Sequence, residues 1–176
     1  MILLKNGCIH TMEQEFFENG YLLIDGAKIS AVGDMKDLKD VNADQVYDLE
    51  GAFVMPGIVD GHSHIGMWED SLGFEGADET EETDPVTPQL RAIDAVNPMD
   101  KCFEEGLCAG ITTSVTGPGS ANVIGGQFAA LKMRGICIDD MIIKAPVAVK
   151  AALGENPKGV YHDKNQAPMT RMATAA

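Results

Sequence analysis

The sequence has few basic residues and few histidines. Thirteen lysines and arginines stand against 27 aspartates and glutamates, which gives a formal net charge of −14. Such a surface repels a phosphate backbone and releases no counterions from it, so we predict no nucleic-acid partner. The chain also lacks an apolar run as long as a membrane span, and its first residues, MILLKNG, lack the features of a signal peptide. We therefore predict no membrane partner and a cytoplasmic location.

Cysteine is also scarce and lacks metal-binding spacing. The four cysteines, Cys8, Cys102, Cys108 and Cys137, form no Cys-x-x-Cys pair. This excludes a zinc knuckle and a thioredoxin-like redox motif. Reduced structural thiols are the expected state.

The remaining composition, 45% apolar and 23% charged, is that of a globular protein. Residues 1–57 predict a small β-module, with turn signals between short β-prone runs. Asp25-Gly26 predicts a tight hairpin, because favoured hairpin turns need positive φ angles. A second hairpin is predicted at Glu50-Gly51.

Residues 58–176 predict alternating strands and helices, which indicates parallel βαβ units. The run GIVDGHSH predicts an inner strand buried on both faces. Asn97 and Pro98 predict the cap and first turn of a helix that ends at Gly110. Further predictions are a strand at ITTSVTG, a helix at GQFAALKMRG and a short helix capped by Thr170. Residues 141–153 fit a strand followed by a helix, without a decisive period.

An acidic segment follows the predicted inner strand. Of the 18 residues in MWEDSLGFEGADETEETD, eight are acidic and none is basic. Repulsion between these charges favours a solvated, mobile loop. Calcium binding is disfavoured, since the segment lacks the alternation of an EF-hand loop.

Two of the four histidines, His62 and His64, are separated by one residue. Chance would place about 0.1 such pairs in the chain. Residues i and i+2 of a strand share a face, so both imidazoles would project into one site and could hold a divalent metal. The alternative is a pair of polar residues in a turn without a ligand. Asp60 shares the strand parity of the pair, and strand ends are where α/β-barrel enzymes place their chemistry.

The stretch FVMPGIVDGHSHIG, preceded by YDLEGA, resembles the opening of the amidohydrolase superfamily of metal-dependent hydrolases. The later runs AGITTSVTGPGSANVIGGQ and ALGENPKGVY are similar to its imidazolonepropionase-related branch. The resemblance implies an α/β fold, in which an N-terminal β-module precedes a (β/α)8 barrel. Residues 58–176 would then be the first βα units of a truncated barrel, because a full barrel needs about 250 residues.

The resemblance also implies one or two metal ions, commonly zinc, and hydrolysis of an amide or related C–N bond in a small-molecule substrate. Only His62 and His64 match the first metal motif. A third ligand would come from Glu155, or less favourably from a carbamylated Lys150, because related enzymes use either residue type. The general base and the substrate are not identified. We expect the chain to be an inactive fragment that self-associates as a homo-oligomer; the alternative is a non-catalytic truncated or regulatory protein that folds through partner contacts.

Overall fold

The computed structural model describes residues 1–69 and 72–176 of the chain. They divide into two compact units, Met1–Pro56 and Gly57–Ala176. Each unit contains its own sheet. Across the described residues, no helix combines the length and the apolar character needed to cross a membrane.

The first unit is a mixed sheet of five strands with the order β3-β2-β1-β4, and β5 also pairs with β1. The strands are β1 (Ile2–His10), β2 (Phe16–Asp25), β3 (Lys28–Asp34), β4 (Gln45–Asp48) and β5 (Phe53–Val54). The predicted hairpin between β2 and β3 is confirmed, with Asp25 opposite Lys28. Within this turn only Gly26 has a positive φ, of +58°. The turn therefore needs glycine at its first central position alone.

The second predicted hairpin is wrong, although its turn is present. Glu50 and Gly51 both have positive φ, as a turn there requires. However, β4 and β5 both run parallel to β1, beside Ile2–Lys5 and Cys8–Ile9 respectively, and do not pair with each other. The turn therefore separates β4 from β5, and both strands pair with β1.

The second unit contains, in its described residues, a four-stranded sheet with the order β6-β7-β8-β9. These strands are β6 (Ile58–Ser63), β7 (Ile111–Thr116), β8 (Ile124–Lys132) and β9 (Ile142–Ala151). The helices are α1 (Lys101–Cys108), α2 (Ile138–Met141), α3 (Glu155–Asp163) and α4 (Arg171–Ala175). β6 and β7 are parallel and are joined through α1, whereas β7, β8 and β9 are antiparallel. The fold is α/β with an N-terminal β-module, as predicted, but of the predicted parallel βαβ units only β6-α1-β7 is present among the described residues.

The predicted helix at GQFAALKMRG is wrong, because this segment forms most of β8. Pairing with both β7 and β9 overrides its helical propensity. Residues 142–151, which were ambiguous in the sequence, are the strand β9. The strand predicted at ITTSVTG is confirmed as β7.

Two further boundary predictions need correction. α1 begins three residues later than predicted, because Asp100 rather than Asn97 is its N-cap and accepts a hydrogen bond from the Cys102 amide. Gly110 follows the end of α1 with φ +90°, and Thr170 caps α4, both as predicted. β6 is not buried on both faces, since it is an edge strand of the described sheet and Val59 is 64% exposed.

The core of the second unit lies where α1, β8 and α2 meet. It contains Met67, Ala92, Val96, Phe103, Ala129, Leu131, Met133 and Met141. Ala129 and Leu131 alternate along β8, so one face of this strand is committed to the core. Residues on the other face of β8, such as Phe128, lie outside this core cluster.

Candidate metal centre

His62 is the last residue but one of β6, and His64 directly follows the end of this strand. Their ring centroids are 5.2 Å apart, and the rings are nearly perpendicular. Two imidazoles that ligate one tetrahedral zinc through nitrogens at about 2.0–2.1 Å have centroids about 5 Å apart. The separation of the pair therefore fits a shared divalent metal.

One hydrogen bond fixes the tautomer of His64. Its Nδ1 lies 2.6 Å from the carbonyl oxygen of Gly117, in the loop after β7. A carbonyl only accepts hydrogen bonds, so Nδ1 must carry the proton and donate it. In the neutral ring this leaves the lone pair on Nε2, which is the usual arrangement of a metal-binding histidine.

Lys150 of β9 lies beside the other histidine. Its Nζ is 3.3 Å from Nε2 of His62 and donates a hydrogen bond to this atom in the tautomer whose Nε2 carries no proton. The less favoured sequence candidate for a third ligand is therefore the one that the structure brings to the pair. Asp60 also lies here, and its Oδ1 accepts a hydrogen bond from the His62 backbone amide at 3.2 Å.

Glu155 is not brought into a group with the two histidines. It is the first residue of α3, is exposed and pairs with Lys158 of the same helix at 3.3 Å. Within the described part of the chain, no group of three His, Cys, Asp or Glu side chains has a metal-binding arrangement. Glu155 as a ligand stays a prediction.

The other two histidines have local contacts of their own. His10 packs against the rings of Phe16 and Phe53, at centroid distances of 4.5 and 5.7 Å. His162 lies on α3 with its side chain 66% exposed, 3.4 Å from the carboxylate of Asp163. His162 is therefore a surface residue of α3.

Phe128 is a site residue that sequence reasoning missed. It is 5% exposed, and its ring centroid lies 5.5 Å from that of His62. The Nζ atom of Lys150 lies 5.9 Å from the same ring. The sequence carried no signal for this role, because the pattern predicts a helix here and the contact with His62 depends on non-local strand pairing.

A cavity of about 740 Å³ has neither His62 nor His64 among its described lining residues, but its wall includes residues of segments that contact the site. Its wall includes Pro118, which follows the carbonyl bound by His64, and Gly125, against which the Lys150 stem packs. Trp68 also lines it. The cavity has the size typical of a small-molecule site.

The acidic segment forms much of the cavity wall and is held at several points. The Gly119 amide donates to the Glu79 carbonyl at 2.6 Å, and Lys164 binds the Glu82 carboxylate at 2.7 Å. Hydrogen bonds from the Thr83 hydroxyl and amide hold the pKa of Glu81 below its usual value. The described part of this loop is therefore anionic and is hydrogen-bonded to neighbouring segments. Its mobility stays a prediction, and Asp70 and Ser71 lie outside the described residues.

The chain is similar in sequence and in structure to known proteins. A crystal structure of an amidohydrolase from Thermotoga maritima MSB8 is similar over 99% of this chain and 45% of its own, with a TM-score of 0.92 and 42% identity. The amidohydrolase tasK of Hapsidospora irregularis is 34% identical over 87% of this chain and 17% of its own length. A dihydroorotase of Lactobacillus leichmannii is 32% identical over 76% of this chain and 33% of its own. No family model matches the chain. The chain thus spans less than half the length of each of these relatives.

Proposed function

Because the chain belongs to the amidohydrolase superfamily, we propose that it carries the first metal-binding motif of a hydrolase that cleaves a C–N bond in a small molecule. The observation that supports this proposal is the His62–His64 pair, with facing imidazoles 5.2 Å apart and one tautomer fixed by Gly117. A divalent ion, most favourably zinc, would lower the pKa of a bound water and polarise the scissile carbonyl.

The residues of this chain have separate roles in the proposal. His62 and His64 hold the ion, and the Gly117 carbonyl keeps the Nε2 atom of His64 available. The proposed substrate site is the cavity lined by Trp68 and Pro118, because Pro118 directly follows the Gly117 carbonyl that binds His64. We assign the general base to none of the described residues. That residues 58–176 are the opening units of a barrel stays a prediction.

For a third ligand we propose Lys150 ahead of Glu155. A lysine ammonium 3.3 Å from His62 Nε2 would repel a dication. The neutral amine can instead add to CO₂ and lose one proton, which gives a carbamate. The carbamate is an anionic oxygen donor and would attract the metal ion. Glu155 lies on α3 in an exposed ion pair. Bicarbonate should therefore strengthen metal binding in the wild type and in Glu155→Gln, but not in Lys150→Ala.

The central test is metal binding to the 176-residue chain, measured by Co²⁺ titration with visible absorption and by competition with Zn²⁺. We expect binding that His62→Ala and His64→Ala each weaken by at least about tenfold, since each removes one of few ligands. The matched control, His162→Ala, removes an exposed histidine and should leave the affinity unchanged. Equal affinity in all variants would contradict the proposal.

Turnover requires a separate measurement. A version of the protein as long as its relatives, assayed on a panel of amides and cyclic amides, should hydrolyse at least one of them only when metal is present. Loss of this activity in His64→Ala, with retention in His162→Ala, would support the hydrolase. Absence of metal from the longer protein would instead favour a non-catalytic role.

A further inference from the structure

We infer that Phe128 is a positioning residue that sets the distances between the parts of the candidate metal centre. This inference rests on the proposed function, because it concerns the same two histidines. Phe128 lies on β8, which pairs with β7 on one side and β9 on the other. β7 in turn pairs with β6, the strand that carries His62. Phe128 is therefore placed to contact elements on both sides.

The burial of Phe128 is not explained by the hydrophobic core. It is 95% buried, yet it is absent from the contiguous core cluster that contains Ala129 and Leu131 of the same strand. Neighbouring residues of a strand point to opposite faces, so Phe128 points away from that core. Its contacts lie on the side of the histidines.

Three components of the site meet this one ring. The His62 imidazole lies 5.5 Å from it at an interplanar angle of 37°, and the Lys150 ammonium lies 5.9 Å from its centroid. Both distances are within the range of favourable aromatic and cation–π interactions. The third component is the backbone of Gly117, whose carbonyl binds His64.

The contact with Gly117 is close enough to exclude any side chain. A Cβ atom added to Gly117 would lie 2.2 to 2.4 Å from three carbons of the Phe128 ring. Gly117 follows Thr116, which pairs with Ala129, so the antiparallel register of β7 and β8 brings Gly117 opposite Phe128. The absence of a side chain lets the ring lie against the peptide that orients His64.

Phe128 thus connects His62, Lys150 and, through Gly117, His64. Each of these groups could otherwise move independently, since His62 is exposed on an edge strand and Lys150 has a flexible stem. Residues that orient metal ligands commonly change metal affinity by about 10- to 100-fold when they are mutated. Phe128 has this role without being a ligand.

The test compares Phe128→Leu with Phe103→Leu, since Phe103 is a phenylalanine of similar burial that belongs to the core cluster. We expect Phe128→Leu to weaken Co²⁺ affinity by about tenfold or more and to change the visible spectrum of bound Co²⁺. Phe128→Tyr, which keeps the ring, should retain most of the affinity. Phe103→Leu should lower the urea midpoint of the metal-free chain without changing the Co²⁺ spectrum.

Gly117→Ala provides a second variant, because its Cβ would displace the ring or the peptide. It should reproduce the spectral change, whereas Gly159→Ala, where the structure leaves open space, should not. Unchanged affinity and spectrum in Phe128→Leu, or an equal loss in Phe103→Leu, would overturn the inference.

A metal-free measurement separates this inference from the proposed function. In the wild-type chain, nuclear Overhauser contacts between the His62 and His64 rings should be present, should be lost in Phe128→Leu, and should persist in Phe103→Leu. If the wild type binds no metal but these contacts follow this pattern, the proposed function fails and the positioning role stands. Contacts that persist in Phe128→Leu refute the positioning role whether or not metal binds.

Discussion

At the residue scale, Tyr161 on α3 shows how a buried polar atom affects stability. Its side chain is fully buried, and its hydroxyl has no hydrogen-bond partner among the described residues. Burial raises the pKa of Tyr161, and the nearby carboxylates of Asp84, Glu82 and Glu81 raise it further. The phenol is therefore neutral in the fold at pH values where an unfolded tyrosine begins to ionise.

We predict that Tyr161→Phe keeps or raises stability at neutral pH, because an unpaired buried hydroxyl costs about 1–3 kcal/mol. The folded pKa is raised, so the wild type should lose stability as pH rises through the unfolded value of about 10, where the unfolded chain releases a proton that the fold retains. The variant should lose less stability over the same interval. Urea unfolding at pH 8 and 10.5 measures the difference, with the half-exposed Tyr47→Phe as control; parallel pH curves for wild type and Tyr161→Phe would contradict it.

At the element scale, β8 shows tertiary contacts overriding local propensity. The run GQFAALK has helix-forming residues, yet it lies between two antiparallel neighbours. Gly126 at its start faces the carbonyl of Leu90, and an added Cβ would lie 2.4 Å from that oxygen. The close approach of two backbones at this position requires glycine.

Gly126→Ala therefore distinguishes the observed strand from the helix that the sequence suggests. In a helix, alanine would stabilise the protein by about 0.5–1 kcal/mol. In β8 it should instead destabilise it by about 1–3 kcal/mol, through overpacking against the Leu90 backbone. Thermal or urea unfolding measures the sign, and Gly159→Ala in the exposed part of α3, with no atom within 4 Å of its Cβ, should be stabilising. Stabilisation by Gly126→Ala would contradict the strand packing.

At the scale of the whole chain, the exposed apolar side chains of β6 and β9 are the main feature. Ile58 and Val59 of β6, and Ile143 and Val149 of β9, are each about half exposed or more. Both strands are at the edges of the described sheet. Edge strands with apolar side chains are sites of association between chains.

We therefore predict that the 176-residue chain self-associates at micromolar concentrations. Val59→Lys should shift sedimentation velocity toward the monomer, because a lysine on an edge strand opposes pairing with another strand. Ile136→Lys, at an 85% exposed residue outside the strands, is the matched control and should leave the distribution unchanged. A monodisperse wild-type monomer over this concentration range is the result that would refute the prediction.

The same features explain how much the sequence alone determined. His62 and His64 were identifiable as candidates because such a two-residue spacing is rare by chance and occurs where a strand ends, although His64 itself lies just beyond β6. The Asp25-Gly26 hairpin and the Thr170 cap were also predictable, since both depend on contacts within a few residues. The acidic charge and the resemblance to a family were likewise properties of the chain itself.

Only the tertiary structure decided which residues surround the histidines. Lys150 and Phe128 lie 88 and 66 positions after His62 in the sequence, and they reach it through the order β6-β7-β8-β9 and the register of those strands. That register depends on long-range backbone pairing and on close packing at glycines such as Gly117. Neither produces a local period or residue spacing from which it could be predicted. The sequence therefore determined the first two candidate ligands, and packing between distant strands determined their environment.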